Sequence, residues 1–155
     1  MEGGTAAMLT SSGQAANFYA MFNICECGDH IVASSSIYGG TFNLIAVTMA
    51  KMGITATFVS PDATEEELNA AFRPNTKLMF GETIANPALT VLDIELFAKV
   101  AHEHGVPLIV DNTFPTPVNC RPIEWGARYC HTLYHKVHGR TRSHTRRSNR
   151  RQRKV

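Results

Sequence analysis

No apolar run in this chain approaches the roughly 20 residues that a bilayer-spanning helix needs. Met1 is followed by Glu2-Gly3-Gly4 rather than by a basic segment and an apolar core, so a secretory signal is not expected and a cytoplasmic setting is. Cysteine is scarce. The four present, Cys25, Cys27, Cys120 and Cys130, contain no C-x-x-C pair, which argues against a disulfide scaffold or a zinc site and for reduced thiols. There is no G-x-G-x-x-G after a strand and no P-loop, so dinucleotides and nucleoside triphosphates are disfavoured as ligands.

Acidic residues are missing from one part of the chain altogether. From Arg128 onward there are 10 Lys and Arg and no Asp or Glu, whereas residues 1–127 hold 5 basic against 13 acidic residues. The net charge of +2 therefore conceals a domain at −8 followed by a tail at +10. A length of 155 residues with 44% hydrophobic content predicts a single modest core, carried by the first of these parts.

Within residues 1–127, strand-like and helix-like segments alternate. Thr10-Ser-Ser-Gly-Gln14 precedes a helical pattern with apolar Ala15, Phe18, Ala20–Phe22 and Ile24, ending at Gly28. Small residues opening a helix leave free amides that suit a phosphate, although an ordinary Ser-Gly turn with an N-cap reads the same way. His30–Ser34 reads as a buried strand, and Tyr38-Gly-Gly40 then leads into a helix over 41–52. Tyr38 can lay its ring on a planar ligand, with glycines allowing close approach, or simply plug the sheet edge. Ile54–Val59 is β-rich, and Thr64 with Glu67 forms a capping box for a helix over 65–72. Lys77–Phe80 is a strand ending in Gly81-Glu-Thr-Ile-Ala-Asn-Pro87. Asp93 caps a helix with Ile94, Phe97, Val100 and Ala101 on one face, stopped by Gly105.

The run Pro107-Leu-Ile-Val110 delivers Asp111 and Asn112 into the Pro-rich turn TFPTP. These two are either ligand groups at a strand end or turn-forming residues. Alternation of strand and helix predicts βαβ units around a parallel sheet covered on both faces. Tyr38, Glu82, Asn86 and Asp111 all fall at strand ends, hence on one surface facing one ligand.

Four stretches, EGGTAAMLTSSGQAA, SSIYGGT, GETIANP and VDNTFPTPVNCRPIEWGA, resemble the Cys/Met-metabolism family of pyridoxal-phosphate enzymes, of fold type I. The likeness runs from Met1 to Ala127, less than half of a family chain, and is greatest to members that act on O-acetylhomoserine. It implies part of an aminotransferase-like large domain with pyridoxal 5′-phosphate as cofactor. Gly13 and Gln14 would hold the phosphate and Tyr38 would stack on the pyridine. Asp111 would pair with the ring nitrogen and Asn86 with the phenolic oxygen, with Glu82 and Thr113 in support. The implied reaction is a γ-replacement on O-acetylhomoserine, in which acetate leaves and sulfide or a thiol adds, giving homocysteine or a relative. Cystathionine γ-synthase, a γ-lyase of cystathionine or methionine γ-lyase are the rival activities. Family members are commonly homo-oligomers; no metal and no membrane is implied.

After Gly126-Ala127 the likeness stops, where the family continues with an aspartate, a strand and a Ser-x-Thr-Lys segment whose lysine carries the cofactor. Read with one base removed, codons permitted by Arg128–Gly139 spell DIVTHSTTKYMD, and those of Arg140–Lys154 permit GHALTLGGVIVDSGK. A one-base insertion near the Ala127/Arg128 boundary therefore accounts for the tail, expected to be disordered over 128–155. Lys136 then stands where the Schiff-base lysine would, with Leu133 and His135 replacing the Ser and Thr that grip the phosphate. An inactive remnant of a cofactor domain is the resulting expectation. From another class, a nucleic-acid-binding arm made of the basic tail ranks lower, since only Tyr129 and Tyr134 interleave its charges.

Overall fold

The computed structural model describes residues 1–133. Five parallel strands form one sheet: β1 (His30–Ser34), β2 (Thr55–Val59), β3 (Thr76–Glu82), β4 (Leu108–Asp111) and β5 (Tyr129–His131), in the order β2-β1-β3-β4-β5. Because side chains alternate across a strand, the sheet feeds two cores. Val32, Met79, Leu108 and Val110 pack with Leu68, Phe97 and Ala101 on one face; Ile31, Ala33, Leu78, Phe80 and Ile109 pack with Met21, Leu44 and Met49 on the other. This is the doubly covered parallel α/β domain expected from the alternating pattern.

The helices follow local chemistry. In α1 (Gly13–Phe22) the Ser12 side chain accepts from the Ala15 amide. The helix ends at Phe22 instead of running to Gly28: its last turn tightens where the Ile24 amide bonds the Met21 carbonyl three residues back. The capping box at Thr64/Glu67 opens α3 (Glu65–Ala70), and Asp93 Oδ1 accepts from the Leu96 amide to open α4 (Ile94–Glu103). At Gly105 the chain leaves α4 with φ +71°, the left-handed conformation that glycine takes without strain. The helix expected over 41–52 starts earlier, at α2 (Gly39–Asn43), and passes into a π-helical stretch over Leu44–Met49. Its i,i+5 repeat puts Leu44 and Met49 on the same buried side. A short α5 (Thr116–Asn119) and a 3₁₀ turn (Pro122–Trp125) lead into β5.

Part of the basic segment departs from the disorder expected from Arg128. Tyr129, Cys130 and His131 pair in register with Ile109, Val110 and Asp111. Arg128 N–H donates to Leu108 O at 3.0 Å, and Asn112 N–H donates to His131 O at 2.8 Å. Strand pairing is made by backbone groups, and an unpaired β4 edge recruits any extended neighbour without Pro or Gly. The rest of the tail, including Lys136, lies outside the described residues.

All four cysteines are free thiols, and burial pushes those of Cys25 and Cys130 up to about 12. His30, buried between the hydroxyls of Thr76 (2.8 Å) and Thr57 (2.9 Å), is a structural histidine driven by burial and by Arg73 down to about 4. No helix among the described residues is long and apolar enough to cross a membrane, and those residues hold no group of three metal-ligating side chains.

Candidate active site

β2 lies on one side of β1 while β3 lies on the other, so the sheet changes winding direction between β1 and β3. In open parallel sheets the crevice outside the carboxyl ends of such strands collects ligands. A cleft of about 250 Å³ lies there, lined by Gly13, Gln14, Tyr38, Glu82, Asn86, Asp111 and Thr113. Seven residues singled out from sequence thus surround one space. Leu133, read from the shifted frame as replacing a phosphate-gripping serine, is also in its wall, and Ser12, Asn17, Thr41, Ile84 and Phe114, not singled out as site residues, complete it. Asn17 was findable, since three residues after Gln14 on a helix means the same face. It is buried and donates to Thr41 Oγ1 at 3.1 Å. With its amide rotated, it would accept from that hydroxyl and donate into the cleft.

One end of the cleft is the first turn of α1, where amides precede the intrahelical ladder and the helix dipole favours an anion. Gln14 Nε2 donates to Gly40 O at 2.9 Å and ties this turn to the start of α2. Tyr38 lies against Gly40: a methyl placed there would meet Tyr38 Cε1 at 2.6 Å, so the absent side chain at Gly40 is what lets the ring settle. The ring is half exposed.

Two carboxylates face the cleft in contrasting states. Burial raises Glu82 to about 7 and outweighs the Tyr38 amide that it accepts at 2.8 Å; Asp111 nearby raises it further. For Asp111, burial acts upward as well, but His131 and the two donors of Thr113 overcome it and hold this carboxyl below the ordinary range. Asp111 Oδ1 accepts from the Thr113 amide at 2.9 Å and from its hydroxyl, while Oδ2 lies 3.0 Å from His131 Nε2. One acid is therefore poised near neutrality and its neighbour is ionised.

The Glu82 environment has a stability consequence. A carboxyl whose folded value is about 7 binds more protons in the folded than in the unfolded chain between pH 4.5 and 7, so stability falls across that window. Glu82→Gln, which keeps an acceptor for the Tyr38 amide, is expected to match the unmodified chain at pH 4 and to exceed it at pH 8. Urea midpoints at the two pH values check this, and an unchanged difference between them would remove Glu82 as the cause.

Asn112, fully buried, anchors the turn that carries Asp111. Its Oδ1 accepts from Thr83 Oγ1 at 2.9 Å, and its Nδ2 donates to Cys120 O at 2.8 Å and to the Glu2 carboxylate at 3.2 Å.

A helix start, an aromatic ring against Gly40 and an ionised carboxylate around one cleft at the strand ends define a ligand-binding domain of the parallel α/β class. The model of the Cys/Met metabolism PLP-dependent enzyme family matches residues 1–133, and the chain belongs to that family. It is 50% identical over 127 residues to O-acetyl-L-homoserine sulfhydrylase of Corynebacterium glutamicum, covering 82% of this chain and 29% of that one. Homocysteine/cysteine synthase of Saccharomyces cerevisiae is 44% identical over 128 residues, with 82% and 29% covered. A Campylobacter jejuni structure described as an O-acetylhomoserine (thiol)-lyase, bearing N′-pyridoxyl-lysine-5′-monophosphate, superposes with TM-score 0.83 at 35% identity, over 86% of this chain and 33% of that one. The chain thus spans less than a third of the length of the curated relatives named here.

Proposed function

We propose that residues 1–127 are part of the cofactor domain of an O-acetylhomoserine sulfhydrylase, and that the sequence from Arg128 is an out-of-frame reading of the family's lysine segment. The observation that carries the proposal is the convergence of Gly13, Gln14, Tyr38, Asn86 and Asp111 on one cleft at the switch point of the sheet. The likeness to sulfhydrylases and homocysteine synthases supports the choice of substrate.

In this reading the Gly13 and Gln14 amides hold the phosphate, and Tyr38 covers one face of the ring. Asp111 keeps the ring nitrogen protonated, and Asn86 binds the phenolic oxygen. Glu82 fixes the Tyr38 backbone, and Thr113 fixes Asp111. Bound there, pyridoxal phosphate supplies the electron sink for a γ-replacement on O-acetylhomoserine by sulfide or a thiol. Exposed apolar side chains, Leu9 at 99% and Val118 at 87%, are consistent with a larger homo-oligomeric protein in which further chain covers them. The setting is cytoplasmic.

The experiment is a fresh read of the source DNA from the Trp125 codon onward, followed by expression of the frame-restored gene. The restored product is expected to show a borohydride-reducible absorbance with pyridoxal phosphate and to release acetate from O-acetylhomoserine with sulfide. A nucleotide sequence whose shifted frame fails to read through a Ser-x-Thr-Lys segment removes the frame proposal. Cystathionine or methionine turnover without sulfide-dependent acetate release would move the restored enzyme to a rival activity.

A further inference from the structure

We infer that residues 131–133 close this cleft against its own cofactor: Leu133 covers the phosphate end, and His131 takes the Asp111 oxygen that would face the ring nitrogen. The inference rests on the cofactor reading above and concerns a segment that reading does not explain.

Leu133 packs directly on the first residue of α1. A methyl placed on Gly13 would lie 2.6, 2.7 and 2.9 Å from three carbons of the Leu133 side chain. An isobutyl group there offers no hydrogen bond and fills the space beside Gly13 that a doubly charged anion would need. A serine at the same position would vacate that volume and add a donor.

At Asp111 both carboxylate oxygens have near neighbours. Oδ1 is engaged twice by Thr113, and Oδ2 lies 3.0 Å from His131 Nε2, with the two side chains only 14% and 12% exposed. With the His131 ring 3.0 Å from Oδ2, a pyridinium N–H cannot approach that oxygen along the same path.

The segment is also held in place. β5 pairs with β4, the Leu133 amide donates to Thr113 Oγ1 at 3.1 Å, and the Thr132 hydroxyl donates to Glu2 Oε1 at 2.5 Å. The closure therefore does not rely on side-chain packing alone.

The test uses the 155-residue chain and three ligands in isothermal titration. Pyridoxine 5′-phosphate has no aldehyde and cannot form a Schiff base, so its affinity reports the cleft without Lys136; inorganic phosphate and unphosphorylated pyridoxine report its two ends. The double variant His131→Thr/Leu133→Ser is expected to bind pyridoxine 5′-phosphate at least about tenfold more tightly than the unmodified chain, a margin of roughly 1.4 kcal/mol. Leu133→Ala should raise affinity for inorganic phosphate and leave pyridoxine unchanged, and His131→Thr should do the reverse. Both positions are on an edge segment, and far-ultraviolet circular dichroism checks that each variant stays folded. Equal affinity of the double variant and the unmodified chain overturns the inference. If both bind tightly, the cofactor reading survives without it; if neither binds at all, the cofactor reading falls as well.

Discussion

Phe80→Ala is expected to lower the unfolding free energy by about 3–5 kcal/mol, a large part of the 5–15 kcal/mol that holds a domain of this size together. Phe80 has no solvent exposure and stands on β3, the central strand. Its register neighbours on the two flanking strands are Ala33 and Ile109, and all three belong to the core under α1 and the π-helical stretch. Ala33 is too small to fill the space a phenyl ring leaves, and Ile109 is held by its own strand, so collapse around the cavity is limited. The damage should also reach the cleft, because Glu82 follows two residues later on the same strand. Urea denaturation gives the measurement. Val118→Ala, at a position 87% exposed, is the control, expected to stay within about 0.5 kcal/mol of the unmodified chain. A Phe80→Ala loss no larger than the control's would mean that the ring is not the keystone of that core.

Local chemistry made much of this fold legible. β1 occupies the five residues read as a strand, the Thr64/Glu67 box opens α3, and Asp93 and Gly105 bound α4. Each of those signals works through neighbours in sequence. The strand read as Lys77–Phe80 grows at both ends to Thr76–Glu82: Thr76 pairs with His30, and pairing with β4 carries the strand on into Gly81 and Glu82, residues of low β-propensity. β5 was illegible for a related reason: its side chains carry no pattern, and the free edge of β4 supplied the order. The cleft residues at strand ends were readable because topology alone brings strand ends together. Asn112 was visible as half of a turn pair but not as an anchor, since its partners Thr83 and Glu2 are 29 and 110 residues away. Leu133 was placed at the phosphate-gripping position only through the shifted frame, and His131 could be assigned no contact from sequence, because its place depends on which strand it joins.

In the His131→Thr/Leu133→Ser background, Asp111→Ala is expected to weaken pyridoxine 5′-phosphate by about 45- to 160-fold. A hydrogen bond to a charged group is worth about 1.5–3 kcal/mol, and the upper half of that range applies where the carboxylate is dry and already oriented. Asp111 meets both conditions. It is 12% exposed, and its Oδ1 is fixed by the amide and hydroxyl of Thr113, which leaves Oδ2 aimed by geometry rather than by chance. Asp111→Asn separates charge from shape. It keeps an acceptor oxygen but loses the negative charge that holds the ring nitrogen protonated, so its loss should fall between those of Asp111→Ala and the background. Titration of the three proteins with the same ligand gives the order. Equal affinity for Asp and Asn would show that the ring binds unprotonated and that Asp111 serves only as an acceptor. Equal affinity for Asp and Ala would place the ring nitrogen elsewhere in the cleft, leaving Glu82, the one other carboxylate on its wall, as the group to test next.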